Sequence, residues 1–198
     1  MFVTFEGMDG SGKTTQVERL RHALEAEGRE VVTAREPGQT DLGEAIRDLV
    51  LHRGPMTPWA EALLYAASRA EVVAEVVRPA LERGADVLLD RYLDSSLVYQ
   101  GIGRGLGVDQ VLELNLLATG GLLPDRTFVL AIEPGTSTAR VGGKPDRIER
   151  EDAAFHERVA RGYQELAELF PDRVVVLDGS LHADALAERI QGELQRVG

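Results

Sequence analysis

A glycine-rich segment close to the amino terminus has the residue types that bind phosphate groups. Residues 7–14 match the pattern G-x-x-x-x-G-K-[ST] in full, in which backbone N–H groups turn inward around an anion. Lys13 can reach the β- and γ-phosphates of a nucleotide, and the Thr14 hydroxyl can bind Mg²⁺. The segment therefore predicts a triphosphate-binding loop. Its predicted nucleotide-binding residues are Gly7, Met8, Asp9, Gly10, Ser11, Gly12, Lys13, Thr14 and Thr15.

A second acidic residue is expected beside this loop to hold the metal ion. Asp90 ends the apolar run 87–89, and open α/β sheets bind their ligands at the carboxyl ends of the strands. Phosphate loops of this kind use one hydroxyl and one strand-end carboxylate around Mg²⁺. Thr14 and Asp90 are therefore the predicted metal-binding residues.

Strand patterns alternate with helix patterns along the chain, which predicts where these groups are positioned. The predicted strands are residues 1–6, 31–34, 85–90, 127–132 and 173–178. The predicted helices are residues 14–27, 41–52, a tract from 58 that breaks at Pro79, 108–119, a short turn led by Pro134, 152–170 and 183–197. Residues 91–107 are expected to form a long polar loop. Because parallel strands need helical crossovers, we expect one α/β domain over residues 1–198, with a five-stranded parallel sheet of the P-loop NTPase type and helices on both faces.

Composition excludes several classes of protein. The chain has 198 residues, a formal net charge of −11 and no cysteine, so neither disulfides nor thiolate chemistry is available. Such a charge argues against a nucleic-acid polymer as partner. Signal-peptide and membrane-span patterns are not found, which predicts a cytoplasmic protein without membrane contact. The four histidines, His22, His52, His156 and His182, lack metal-ligand spacing.

Missing motifs and the short chain narrow the class of nucleotide-binding protein. GTP-binding switches read guanine with N-K-x-D, but both lysines, Lys13 and Lys144, follow a glycine. A large motor ATPase usually needs a longer chain. A small-molecule kinase fits the size best, and a regulator that binds ATP without turnover remains an alternative from a different class.

Further motifs then resemble the thymidylate kinase family. They are the segment 4–15, Arg35-Glu36-Pro37-Gly38, Asp90-Arg91-Tyr92 with Ser95-Ser96 and Tyr99-Gln100-Gly101, and Pro124-Asp125, in the family's order from residue 1 to about 150. The resemblance implies transfer of the γ-phosphoryl group of ATP to dTMP, with Mg²⁺ as cofactor and a homodimeric assembly. A kinase for another nucleoside monophosphate is the nearest alternative.

The resemblance also implies roles for individual residues. Lys13 and Arg91 are expected to hold the donor and acceptor phosphates, and Asp9 to orient the acceptor. Tyr65, which replaces the usual phenylalanine, would stack on thymine, and Arg69 would donate to its O4. The remaining expected acceptor-binding residues are Arg35, Ser96, Gln100 and Tyr99, the last of which would pack under the sugar.

The expected lid, residues about 140–150, departs from the family pattern. Members that lack an arginine in the phosphate loop use lid arginines instead, and here Gly10 occupies that place. The candidate cations are Arg140, Lys144 and Arg147, of which Arg140 and Arg147 are the predicted catalytic ones. Gln39 also replaces the glycine that usually follows Gly38.

Overall fold

The structure is a computed structural model that describes residues 1–140, 142 and 145–195. Its centre is a five-stranded sheet whose described strand pairs are all parallel. The strands are β1 (Phe2–Glu6), β2 (Val31–Arg35), β3 (Asp86–Asp90), β4 (Arg126–Ala131) and β5 (Val174–Asp178), in the spatial order β2-β3-β1-β4-β5. The predicted five-stranded parallel sheet is confirmed.

Helices connect the strands and cover the sheet. They are α1 (Lys13–Ala26), α2 (Asp41–His52), α3 (Pro58–Val72), α4 (Arg78–Glu82), α5 (Leu93–Ser96), α6 (Val108–Thr119), α7 (Pro134–Arg140), α8 (Ala153–Leu169) and α9 (Ala183–Gln195). Within the described ranges, none of these helices has both the length and the apolar character that a bilayer span requires.

Two apolar layers hold the helices to the sheet. On one face, Val17, Leu20 and Leu24 of α1 pack with Phe5, Phe128 and Ile190. On the other, a larger cluster includes Val87, Leu89, Leu97, Val129 and Leu166. The central strands β1, β3 and β4 are almost fully buried, as expected of parallel strands that are covered on both faces. Their carboxyl ends lie together at one edge of the sheet.

Two expectations about local structure were wrong. The segment expected to be a long loop after β3 is largely helical, since α5 is followed directly by a π-helical stretch over Leu97–Gly103. The helical tract from residue 58 does not break at Pro79. A π-helical stretch, Val73–Val77, joins α3 to α4. Pro79 stands in the first turn of α4, directly after this stretch, where the regular i→i−4 hydrogen-bond pattern is already interrupted.

Candidate active site

The phosphate loop connects the end of β1 to the start of α1. Gly7 has φ +132°, and a Cβ there would lie 2.5 Å from the Leu130 carbonyl oxygen, so only glycine fits. Lys13 Nζ donates to the carbonyl oxygens of Gly7 at 3.1 Å and Met8 at 2.9 Å. Burial, and next the nearby Arg91 cation, lower the pKa of Lys13 to about 8. The lysine is thus held inside the loop by weak neutral acceptors that phosphate oxygens can replace.

The two residues predicted to bind metal lie side by side. Thr14 Oγ1, in the first turn of α1, donates to Asp90 Oδ2 at 2.6 Å at the end of β3. A hydroxyl and a carboxylate are hard oxygen donors of the kind Mg²⁺ binds, with phosphate oxygens and water completing the shell. Among the described residues there is no cluster of three or more acidic, histidine or cysteine side chains that could hold a metal. This donor set therefore fits a cation that the nucleotide itself helps to bind.

Arg91 and Asp9 form an ion pair between the phosphate loop and β3. Arg91 Nη2 lies 2.6 Å from Asp9 Oδ1, and Lys13 Nζ lies 4.0 Å from the same oxygen. Burial raises the pKa of Asp9, but the Arg91 and Lys13 cations outweigh it and hold that pKa at about 2. The structure thus brings Asp9, Lys13 and Arg91 together as sequence analysis expected, and the carboxylate stays ionised throughout the physiological range.

Glu6, at the end of β1, organises the backbone that carries Arg91. Its Oε1 accepts from the N–H of Tyr92 at 2.7 Å and of Ser95 at 3.1 Å, and its Oε2 accepts from the hydroxyls of Ser95 and Tyr163. Arg91 itself has φ +71°, a left-handed conformation that a side chain rarely adopts. The four hydrogen bonds hold the turn in which this strained residue stands.

A pocket opens beside the Asp9–Arg91 pair. It is lined by residues from the phosphate loop, α2, α3, the helical segment after β3 and the segment 146–148, namely Asp9, Glu36, Pro37, Arg47, Leu51, Tyr65, Arg91, Ser95, Ser96, Tyr99, Gln100, Asp146 and Ile148. Its lining combines two cations, Arg47 and Arg91, with two aromatic rings, Tyr65 and Tyr99, and the Gln100 amide. The Arg91 guanidinium lies 5.4 Å from the centre of the Tyr99 ring.

Arg69 lies behind the wall of this pocket and is only 1% exposed. Its Nε donates to Glu36 Oε2 at 2.7 Å, its Nη1 donates to Ser96 Oγ and Asn115 Oδ1, and its Nη2 donates to the Tyr92 carbonyl oxygen. These hydrogen bonds fix Arg69 behind the residues that line the pocket. The expected contact between Arg69 and thymine O4 stays a prediction. Glu36 Oε1 is buried and has no hydrogen-bond partner among the described residues.

The two lid arginines have different neighbours. Arg140, at the end of α7, points Nη1 at the carbonyl oxygens of Gly10 and Gly179, at 3.3 Å each, and therefore lies against the phosphate loop. Arg147 Nε donates to the Val50 carbonyl oxygen and its Nη1 lies 2.7 Å from Glu61 Oε2. Lys144 lies outside the described residues.

Arg35 is not among the residues that line the pocket. Its Nη2 pairs with Glu44 Oε1 at 2.8 Å, and both side chains are about half exposed. Arg47 instead lines the pocket on α2 and donates to the Pro37 carbonyl oxygen at 2.9 Å. Arg47 was not predicted as a site residue, although it stands one turn before Leu51 on the same helix face.

Other residues that sequence analysis missed are buried carboxylates: Glu6, Glu36 and Glu61 are each at most 4% exposed. A signal for Glu61 was available. It precedes Tyr65 and Arg69 at spacings of four, so all three share one face of α3. Glu6 lies in the segment 4–15 and Glu36 follows Arg35 in the second motif, but no role was predicted for either carboxylate.

A parallel α/β sheet with a complete phosphate loop, and a second, cation-rimmed pocket at the same edge, defines a P-loop kinase acting on a small acceptor. The comparisons narrow this class. The family model for thymidylate kinase matches residues 5–190. The chain is 48% identical to the thymidylate kinase of Bifidobacterium longum (strain DJO10A), covering 100% of this chain and 98% of the relative. It is 50% identical to that of Gloeobacter violaceus over 96% and 92% of the two chains.

A solved structure of a thymidylate kinase is also similar to this chain. The crystal structure of thymidylate kinase from Ehrlichia chaffeensis matches with a TM-score of 0.76 and 34% identity, over 89% of this chain and 91% of that one. The chain belongs to the thymidylate kinase family.

Proposed function

We propose that this chain transfers the γ-phosphoryl group of ATP to the phosphate of dTMP, producing dTDP and ADP. The observation that carries the proposal is the Asp9–Arg91 pair, which stands between the phosphate loop and the neighbouring pocket with Lys13 4.0 Å from the same carboxylate. Membership of the thymidylate kinase family, over residues 5–190, supports thymidylate as the acceptor.

The chemistry requires charge stabilisation more than proton transfer. A monophosphate has a second pKa near ~6 and is already anionic at neutral pH, so no strong general base is needed. The difficulty is the repulsion between two polyanions, and fixed cations offset it. Arg91 is suited to bridge donor and acceptor, because its planar guanidinium can bind two phosphate oxygens at once. Lys13 serves the donor, and Arg47 adds a cation on the acceptor side.

The aromatic and amide side chains of the pocket supply the contacts for a nucleoside. Tyr99 is a buried aromatic side chain and Tyr65 a partly buried one. Burial raises the pKa of each hydroxyl above its ordinary value, so both stay neutral. Tyr65 would stack on the base, and Tyr99 would pack against the sugar.

Ser96 and Gln100 offer hydrogen bonds to the base edge, with Arg69 holding Ser96 in place from behind. Asp9, bound to Arg91, would fix the orientation of the acceptor.

Thr14 and Asp90 would hold Mg²⁺. When bound, the ion screens the phosphate charges and aligns the γ-phosphoryl group. The protein's contribution is to keep Thr14 Oγ1 and Asp90 Oδ2 adjacent, 2.6 Å apart, at the amino end of α1.

The lid belongs to the same proposal. Residues about 140–150 of the single domain 1–198 would close over ATP, with Arg140 and Arg147 as its cations. Arg140 already lies against Gly10. Arg147 is paired with the buried Glu61, so it would reach the phosphates only after that pair opens.

The proposed assembly is a homodimer. Apolar side chains remain exposed on three adjacent helices: Leu49 of α2, Leu63 of α3 and Leu117 of α6, the last 83% exposed. Exposed apolar patches of this kind mark protein–protein contacts. The cytoplasmic location remains a prediction from the sequence.

A coupled assay of ADP release with a panel of monophosphates tests the function. We expect ADP formation that depends on dTMP and falls steeply with dCMP and AMP. A protein that binds ATP but forms no acceptor-dependent ADP would instead be a regulator, and equal rates with several monophosphates would remove the thymidylate assignment.

A further inference from the structure

Glu61 is a buried carboxylate that the phosphoryl transfer does not use. It stands in the first turn of α3 and is 1% exposed. Its Oε1 accepts from Gln100 Nε2 at 2.8 Å and Arg104 Nε at 3.2 Å, and its Oε2 accepts from Arg104 Nη2 at 3.0 Å and Arg147 Nη1 at 2.7 Å. Burial raises the pKa of Glu61, but the hydrogen bonds from Arg104, Gln100 and Arg147 outweigh it and keep that pKa below its ordinary value.

An ionised carboxylate can only accept hydrogen bonds, and this fixes the Gln100 side chain. The amide has a donor end and an acceptor end of nearly equal shape. Because Glu61 Oε1 faces the amide at 2.8 Å, the NH₂ end must point to Glu61. The reversed amide would place two oxygens against each other in a buried site, which is costly.

The other end of the amide belongs to the acceptor pocket. Gln100 lines that pocket, and no hydrogen bond to its carbonyl oxygen is made within the described parts of the chain. The pocket therefore meets a base with a fixed hydrogen-bond acceptor. Arg104 and Arg147 hold the Glu61 carboxylate in this arrangement. Arg104 is itself paired with Glu151 at 2.7 Å, so it still holds Glu61 when Arg147 leaves for the phosphates.

Resting on the proposed function, we propose that Glu61 is a specificity-determining positioning residue that locks the Gln100 amide with its carbonyl oxygen toward the base. Thymine and uracil carry a donor, N3–H, which this oxygen accepts. Cytosine carries a bare acceptor at N3, which it repels. Glu61 thus selects for the protonated N3 edge without touching the nucleotide.

The test compares three acceptors, dTMP, dUMP and dCMP, by kcat/KM in the wild type and in Glu61→Gln. The glutamine can both donate and accept, so the Gln100 amide is free to reverse. We expect the dTMP to dCMP ratio to fall by about tenfold or more, because a reversed amide donates to cytosine N3. The dTMP to dUMP ratio should stay the same, since both bases have N3–H and differ only in the C5 methyl group.

A matched variant separates this mechanism from a loosened pocket. Arg104→Gln removes a partner of Glu61 but leaves the Glu61–Gln100 bond, and we expect it to change all three acceptors by one common factor. In a Gln100→Ala background, Glu61→Gln should no longer alter the dTMP to dCMP ratio, because the amide through which it acts is gone. Should Glu61→Gln not fold, Glu61→Asp keeps the charge but withdraws it from Gln100, and a smaller fall in the same ratio is expected.

Three results would overturn the inference: an unchanged dTMP to dCMP ratio in the folded variant, an equal change in the dTMP to dUMP ratio, or a full effect of Glu61→Gln in the Gln100→Ala background. These results leave the proposed function intact if the wild type phosphorylates dTMP. A wild type without activity on dTMP overturns the proposed function and this inference with it.

Discussion

At the scale of the residue, the site is built from charges kept in an unfavourable environment until a ligand arrives. Lys13 is 6% exposed, and its nearest hydrogen-bond acceptors are two backbone carbonyl oxygens. Burial and the Arg91 cation lower its pKa to about 8. A bound triphosphate would supply the missing negative charge and raise that pKa again. Nucleotide binding and the protonation of Lys13 are therefore linked.

This linkage predicts a pH dependence. Because the free protein loses the Lys13 proton as the pH rises through about 8, we expect kcat/KM for ATP to fall above pH 8, toward tenfold per pH unit, while kcat at saturating ATP stays flat over the same range. The measurement is the coupled assay between pH 7 and 9.5 at constant ionic strength. Lys13→Arg keeps its charge throughout and should not show this fall. A kcat/KM for ATP that is constant to pH 9.5 in the wild type would contradict the prediction.

Glu6 gives a second prediction at this scale. Glu6→Ala leaves the N–H groups of Tyr92 and Ser95 without their acceptor. The turn that holds Arg91 in its left-handed conformation is then no longer fixed by these hydrogen bonds. We expect a loss of about 2 kcal/mol in the free energy of unfolding and a fall in kcat of roughly tenfold or more, as expected for a displaced catalytic cation. Urea unfolding and the kinase assay measure the two effects.

The control for this prediction is Glu6→Gln, whose carbonyl oxygen can still accept from both N–H groups. It should recover most of the stability and part of kcat. If Glu6→Ala loses stability but retains the wild-type kcat, Glu6 does not position Arg91.

Sequence patterns predicted the reactive residues better than the residues that hold them. The phosphate loop and the strand-end Asp90 have fixed spacings that follow from phosphate and metal geometry. Glu6 and Glu36 had no such signal, and Glu61 had only its spacing of four from Tyr65, because a glutamate is usually exposed and only its partners reveal why it is buried. For Glu36 and Glu61 those partners, Arg69 and Gln100, are 33 and 39 residues away along the chain.

At the scale of the element, the misjudged segment after β3 shows why local patterns were insufficient. Glycines at 101, 103, 105 and 107 indicate a loop, since glycine is unfavourable in helices. In the folded chain Gly103 is a close contact, since a Cβ there would lie 2.9 Å from the Phe155 ring of α8. Gly103 lets the end of the π-helical stretch pack directly against α8, and a contact with a distant helix cannot be read from the local sequence.

The loop after β2 contains a residue with a strained backbone conformation, and a glycine there should stabilise the protein. Gln39 has φ +74°, which costs a side-chain-bearing residue roughly 1–2 kcal/mol. We expect Gln39→Gly to raise the free energy of unfolding by about 0.5 kcal/mol, after the greater chain entropy of glycine in the unfolded state is subtracted. Gln39→Ala keeps the strain and should not stabilise. Urea unfolding compares the three proteins, and a Gln39→Gly variant less stable than Gln39→Ala would contradict the strain argument.

The two lid arginines, Arg140 and Arg147, are expected to affect different kinetic parameters. Arg140 lies against the phosphate loop at Gly10, so Arg140→Ala should lower kcat by about 100-fold and leave KM for dTMP nearly unchanged. Arg147 holds the Val50 carbonyl oxygen and Glu61, so Arg147→Ala should mainly raise KM for dTMP. Steady-state kinetics with each substrate varied in turn measures both.

The control for the lid is Arg150→Ala. Arg150 is exposed and donates only to the Asp146 carbonyl oxygen in the described contacts, and this variant should behave as the wild type. A large loss of kcat in Arg147→Ala together with an unaffected Arg140→Ala would show that Arg147, after leaving Glu61, is the lid cation.

At the scale of the whole molecule, the fold leaves one apolar face without a described partner. α3 packs against both α2 and α6, and the outer sides of the three helices expose Leu49, Trp59, Leu63 and Leu117. Leu42 stands two helical turns from Leu49 on the same side of α2 and is 49% exposed. A patch shared by three helices can pair with its own copy across a twofold axis, which is the commonest form of homodimer.

Leu63→Arg tests this pairing, because two buried copies of the new cation would face each other across the axis without partners. We expect sedimentation equilibrium to give the mass of a dimer for the wild type and half that mass for the variant at the same micromolar concentration. Leu169→Arg is the matched control, since Leu169 is 56% exposed but lies on α8, outside the three-helix face, and it should remain a dimer. A monomeric wild type would exclude the homodimer, and a dimeric Leu63→Arg would move the contact to another surface.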